Sequence, residues 1–105
     1  MSDDLQSVFS FISEILENNK IVLFMKGTKN LPQCGFSAQV VQILQFNKID
    51  FLDVNVFEVK DLREGIKKFS NWPTIPQLYV NGKFVGGADI VKDLHQAEEL
   101  LITLK

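Results

Sequence analysis

The 105-residue chain has one thiol, Cys34, and its neighbours decide what chemistry that thiol can do. A cysteine is a nucleophile or a metal ligand only as the thiolate, so a useful site must favour negative charge. Cys34 sits where a loop turns into a helical stretch. The first turn of a helix has unpaired N–H groups and a positive dipole end, and both stabilise a thiolate. A free thiol ionises near pH ~8.5, and helix N-termini or a nearby lysine lower that to roughly 3.5–7.5. Lys26, at the end of the preceding strand, can approach the same edge of the sheet. Gly35, directly after the thiol, lets a ligand or another backbone come close. A lone cysteine is otherwise a small hydrophobe that prefers burial. This placement favours the reactive reading.

Holding such a thiol requires a strand, a loop and a helix in that order, and the hydrophobic pattern supplies them. Leu5, Val8, Phe9, Ile12, Ile15 and Leu16 recur at three- and four-residue spacings and predict one apolar helical face, with Asn18-Asn19 as its stop. Ile21 to Met25 is a short apolar run without alternation, as expected of a strand covered on both faces. Residues 26–33 read as loop. A second helix is expected over 35–46, with Val40, Ile43, Leu44 and Phe46 as apolar positions, then a strand over 51–54. Val59, Leu62, Ile66 and Phe69 place a stripe on a third helix. After two prolines, strands 77–80 and 83–85 flank Asn81-Gly82, whose residues accept the positive φ of a hairpin turn. Ile90, Leu94, Ala97, Leu101 and Leu104 line a final helix, with His95 on its polar side as an ordinary surface histidine. The order α-β-α-β-α-β-β-α predicts one α/β domain over 1–105, a four-stranded mixed sheet with helices on both faces.

Bulk properties remove several classes of function. The net charge is −2, so no basic excess drives nucleic-acid binding. Met1-Ser2-Asp3-Asp4 is acidic and does not read as a targeting signal. The longest apolar run has five residues, far too few for a membrane span. A single cysteine fits a reducing compartment. The expectation is a bacterial-type cytoplasm, with the mitochondrial matrix as the alternative.

Three segments carry a family resemblance. Cys34-Gly35-Phe36-Ser37, preceded by Lys26-Gly27, resembles the CGFS signature of the monothiol glutaredoxins. Asn71 to Leu78 resembles their WPT-x-PQ segment, and Val85-Gly86-Gly87-Ala88-Asp89-Ile90 resembles their VGG-x-D-I turn. The motifs occur in the family's order along nearly the whole chain. The resemblance implies a thioredoxin-like fold with a glutathione groove beside Cys34. Lys26 and Arg63 match residues that hold the glycine carboxylate, with Lys67 as a weaker addition. Thr74 belongs to the same groove segment. Ile75 matches the residue whose backbone pairs with the cysteinyl part, before a Pro76 that is cis in this family. Gly87, Ala88 and Asp89 match the turn that receives the γ-glutamyl end, where Asp89 can also serve as a helix cap. Phe36 is either core or groove wall, and Trp72 packs at the groove edge. Ala88 stands where some members carry a second cysteine, so the chain has no resolving thiol there.

Ser37 occupies the position a second thiol would need, which excludes dithiol chemistry. One remaining route is monothiol exchange, in which the thiolate attacks a glutathionylated protein and free glutathione resolves the adduct. The other, implied by the family, is a 2Fe-2S cluster bridging a homodimer of otherwise monomeric chains. Its four thiolates would come from two Cys34 residues and two glutathiones. Apo iron–sulfur proteins are then the recipients, and a BolA-type protein is a candidate heterodimer partner. The loop 27–33 is longer than a thiol turn requires and is expected to bias glutathione toward cluster ligation. A module in which Cys34 is inert is the third reading.

Overall fold

The computed structural model describes residues 3–105. Its first half contains α1 (Asp3–Asn18), β1 (Ile21–Met25), β2 (Gly27–Thr28), β3 (Leu31–Pro32), α2 (Gly35–Phe46) and β4 (Leu52–Asn55). The second half contains α3 (Leu62–Ser70), β5 (Gln77–Val80), β6 (Lys83–Gly86), α4 (Ala88–Gln96) and α5 (Leu100–Thr103). The main sheet runs β4-β1-β5-β6, with β1 parallel to β4 and the other pairs antiparallel. This is the mixed sheet of the thioredoxin-like fold that the sequence predicts.

β1 explains the layering. Val22, Leu23, Phe24 and Met25 are all 0% exposed, because the strand has helices on both sides. The pleat sends alternate side chains to opposite faces. Leu23 and Met25 join Val40, Leu44, Val91 and Leu100 under α2, α4 and α5. Val22 and Phe24 join Val8, Ile12, Ile66 and Tyr79 under α1 and α3. The Phe24 and Tyr79 rings meet edge to face, 5.5 Å between centroids, a geometry that suits their quadrupoles. The amides of Asn18 and Asn19 donate to the carbonyls of Glu14 and Ile15. They satisfy last-turn acceptors of α1 and end the helix where the sequence predicts.

Several expectations need correction. The segment 26–33 is not all loop: β2 and β3 form a two-residue antiparallel ladder. Side chains of β4 hold it, since Asn55 Oδ1 accepts the Gly27 N–H at 3.1 Å and Asp53 Oδ2 accepts the Lys29 N–H at 2.8 Å. β4 begins one residue later than expected, at Leu52, which is the residue that pairs with Val22. α3 starts at Leu62 rather than Val59, behind Asp61 in a left-handed conformation.

The final helix is broken. Glu98 adopts φ 60°, which ends α4 and offsets α5. The inner face is therefore Val91, Leu94, Leu100 and Leu104, while Ile90 and Leu101 are exposed. Phe46 is 77% exposed and does not enter the core. His95 is not a free surface residue. α2 and α4 pack together, so its Nδ1 lies 3.2 Å from Asn47 Nδ2 and its ring meets Phe46 edge to face.

The contact between α1 and α3 depends on a glycine. A Cβ at Gly65 would overlap Val8 Cγ1. Gly65→Ala is expected to destabilise the fold by about 1–3 kcal/mol through overpacking. Denaturant titration checks this, and adding Val8→Ala should restore part of the loss.

Candidate functional site

Cys34 is the N-cap residue of α2, in an extended conformation (φ −153°, ψ 137°), and its carbonyl accepts the Ala38 N–H at 2.9 Å. The side chain is half-buried. Ser37, three residues on, is completely buried, and its Oγ accepts the Lys26 N–H at 3.2 Å. That bond ties the end of β1 to the first turn of α2 and sets Lys26 beside the thiol. The Cys34 thiol is consequently held below the ordinary thiol range. The Ser37 backbone N–H lowers it most and burial opposes this; the Phe36 N–H, the Lys26 charge and the Ser37 hydroxyl lower it further.

A cleft of about 370 Å³ opens at this thiol. It is lined by Lys26, Cys34 and Phe36, by Lys67 from α3, by Thr74, Ile75 and Pro76, and by Gly87, Ala88 and Asp89. The structure thus brings together ten of the eleven residues expected at the site. Arg63 is the one it does not: its guanidinium lies over the Phe57 ring, 5.8 Å from the centroid. Phe36 is wall rather than core, at 62% exposed. Asp89 is not the helix cap, because Gly87 holds that position and Asp89 falls in the first turn of α4. A wider depression of about 580 Å³ lies by Asn18, Asn19 and Asn81, away from the thiol. All three amides donate to main-chain carbonyls, those of Glu14, Ile15 and Lys105.

The 72–76 segment of the cleft lining is held by side chains that the sequence reading did not assign to the site. Gln77 is fully buried, and its Nε2 donates to the carbonyls of Trp72 and Thr74 at 3.2 and 3.1 Å. Its Oε1 accepts the Tyr79 hydroxyl at 3.2 Å, and burial pushes the Tyr79 pKa up to about 12. A glutamine inside an apolar strand was the available signal, since a buried amide needs partners on all sides. The Ile75–Pro76 peptide is cis, as the family resemblance implies. Trp72 and Ile90 also line the cleft. Trp72 Nε1 is buried without a hydrogen-bond partner among the described residues. A Cβ on Gly87 would stand 3.2 Å from that nitrogen and 3.3 Å from the Pro76 carbonyl oxygen. Glycine there allows the turn and the indole to approach.

The Glutaredoxin family model matches residues 21–85, which hold β1, the thiol and the strands behind the cleft. The chain is 57% identical over 95 residues to "Probable monothiol glutaredoxin 2" of Rickettsia typhi, covering 90% of this chain and 86% of that protein. The chain belongs to the monothiol glutaredoxins. Among solved structures, reduced poplar apo GrxS14 is 47% identical with a TM-score of 0.79, covering 90% of this chain and 86% of that one. A buckwheat glutaredoxin–glutathione complex is 19% identical with a TM-score of 0.86, covering 99% and 93%, and shares the fold.

For this glutaredoxin the thiolate assignment has a direct check. The rate of Cys34 alkylation by iodoacetamide should reach half its maximum at lower pH in the folded chain than in the denatured chain, because a lowered pKa yields thiolate earlier as pH rises. Lys26→Gln should move that midpoint upward only part of the way, since the Ser37 and Phe36 N–H groups remain.

Proposed function

We propose that the chain carries a 2Fe-2S cluster as cargo, held between two protomers by Cys34 of each and by two glutathiones bound in the two clefts. The observation that carries the reading is a thiol of lowered pKa in a cleft that Lys26, Lys67 and Asp89 also line. Glutathione has two carboxylates, an ammonium and a thiol, and those groups are complementary to the lysines, the Asp89 carboxylate and the thiol that line the cleft. In this reading Lys26 and Lys67 take the glycine carboxylate, and Arg63 joins them by leaving Phe57. The Ile75 backbone pairs with the cysteinyl part as a short added strand. The turn at Gly87-Ala88 presents the N–H groups of a helix start to the γ-glutamyl carboxylate, and Asp89 takes the ammonium. Phe36 and Thr74 wall the site.

The donor set supports shared rather than internal coordination. Thiolates are the usual ligands of such clusters, and each chain has one cysteine. Among the described residues, no three His, Cys, Asp or Glu side chains are grouped to hold a metal ion. A second protomer and external thiols complete a set of four. The chain is then a monomer without cluster and a homodimer with it. Apo iron–sulfur proteins are the recipients, and a BolA-type protein is an alternative to the second protomer. A reducing compartment such as the cytoplasm suits a function that depends on free thiols. No helix among the described residues is long and apolar enough to cross a membrane.

The test is reconstitution. Iron, sulfide and reduced glutathione should convert the monomer into a coloured dimer with about one cluster per two chains, which passes the cluster to an apo-ferredoxin. Cys34→Ser should abolish both. A colourless monomer that rapidly turns over a glutathione mixed disulfide would overturn the reading.

The lowered thiol pKa favours a second activity, deglutathionylation. The Cys34 thiolate attacks the glutathione sulfur of a protein–glutathione disulfide, releasing the protein thiolate and leaving a Cys34–glutathione disulfide. A glutathione thiolate then attacks that disulfide, yielding oxidised glutathione and free Cys34. The anchored loop 27–33 is proposed to restrain this second step. Deleting residues from it should raise turnover of a glutathionylated substrate, measured with glutathione reductase coupling.

A further inference from the structure

The α3 cations that glutathione would need are both engaged within the chain. Arg63 rests on Phe57. Lys67 Nζ donates to Glu64 Oε2 at 3.2 Å, and of the two cations it is Lys67 that lines the cleft. We propose that Glu64 is an internal competitor of the ligand: it holds the Lys67 ammonium until an incoming carboxylate takes its place. The inference rests on the glutathione reading and concerns how tightly that site binds.

The exposures give the exchange its direction. The Lys67 side chain is 26% exposed and that of Glu64 is 70% exposed. When a carboxylate arrives in the cleft, Lys67 trades one anionic partner for another, and Glu64 returns to water it already largely contacts. Neither charge is left buried without a partner. An exposed pair of this spacing is weak, so the competition tunes affinity without closing the cleft. Glu64 also sits in the first turn of α3, where a carboxylate favours the helix dipole. A purely structural role there would change thermal stability and leave binding alone.

Calorimetric titration of the full chain with reduced glutathione separates the two roles. Glu64→Gln should bind glutathione roughly two- to fivefold more tightly at low salt, with the gain fading at high ionic strength. The gain should shrink in a Lys67→Gln background, and for glutathione monoethyl ester, whose glycine carboxylate is masked. Unchanged or weaker binding by Glu64→Gln, beside normal binding by the parent chain, overturns the competition alone. An equal gain in both backgrounds also overturns it, since Glu64 would then act through its general field. A parent chain that binds no glutathione overturns both the glutathione reading and this inference.

Discussion

The hydrogen bond from the Lys26 N–H to the buried Ser37 hydroxyl is small in energy and large in consequence. β1 is fixed by cores on both faces, so its last residues have almost no freedom. Through Ser37 that fixed edge holds the first turn of α2, and the first turn places both the thiol and the N–H groups that favour its charge. A neutral hydrogen bond contributes about 0.5–1.5 kcal/mol net, whereas an orphaned buried polar group costs about 1–3 kcal/mol. The serine is therefore more than a missing cysteine. It gives the thiolate a donor that a second thiol would supply poorly.

The 74–76 segment of the cleft follows the same principle with a different residue. Gln77 is buried in β5 and spends its amide on the segment that carries Thr74, Ile75 and Pro76. Both walls are thus fastened to central strands, β1 through Ser37 and β5 through Gln77. The lysines of the cleft stand on flexible stems instead.

Much of this was legible in the sequence because it rested on local signals. The range of α2, the Asn81-Gly82 turn and the two-sided burial of β1 follow from turn chemistry and from the absence of alternation. The cleft residues were legible through the motif resemblance. What was not legible depended on distant partners. β2 and β3 are too short to show a pattern, and they form because Asp53 and Asn55 reach across from β4. Arg63 sits on the expected helix, but its direction is set by Phe57 outside that helix. Spacing placed Ile90 inside and made His95 a surface residue. The turn at Glu98 and the packing of α2 on α4 bring Val91 and Leu100 inward instead. Phe46 read as core because periodicity locates a stripe and does not say where a layer ends.

Trp72 gives the molecule a property unrelated to its chemistry. It is the chain's one tryptophan, its ring lies on the cleft wall 5.4 Å from Phe84, and its nitrogen abuts Gly87. Tryptophan emission from the intact chain therefore originates beside the cleft. With Tyr79 buried a few ångströms beyond Phe84, the cleft has its own optical reporter, native to the sequence and free of any attached label.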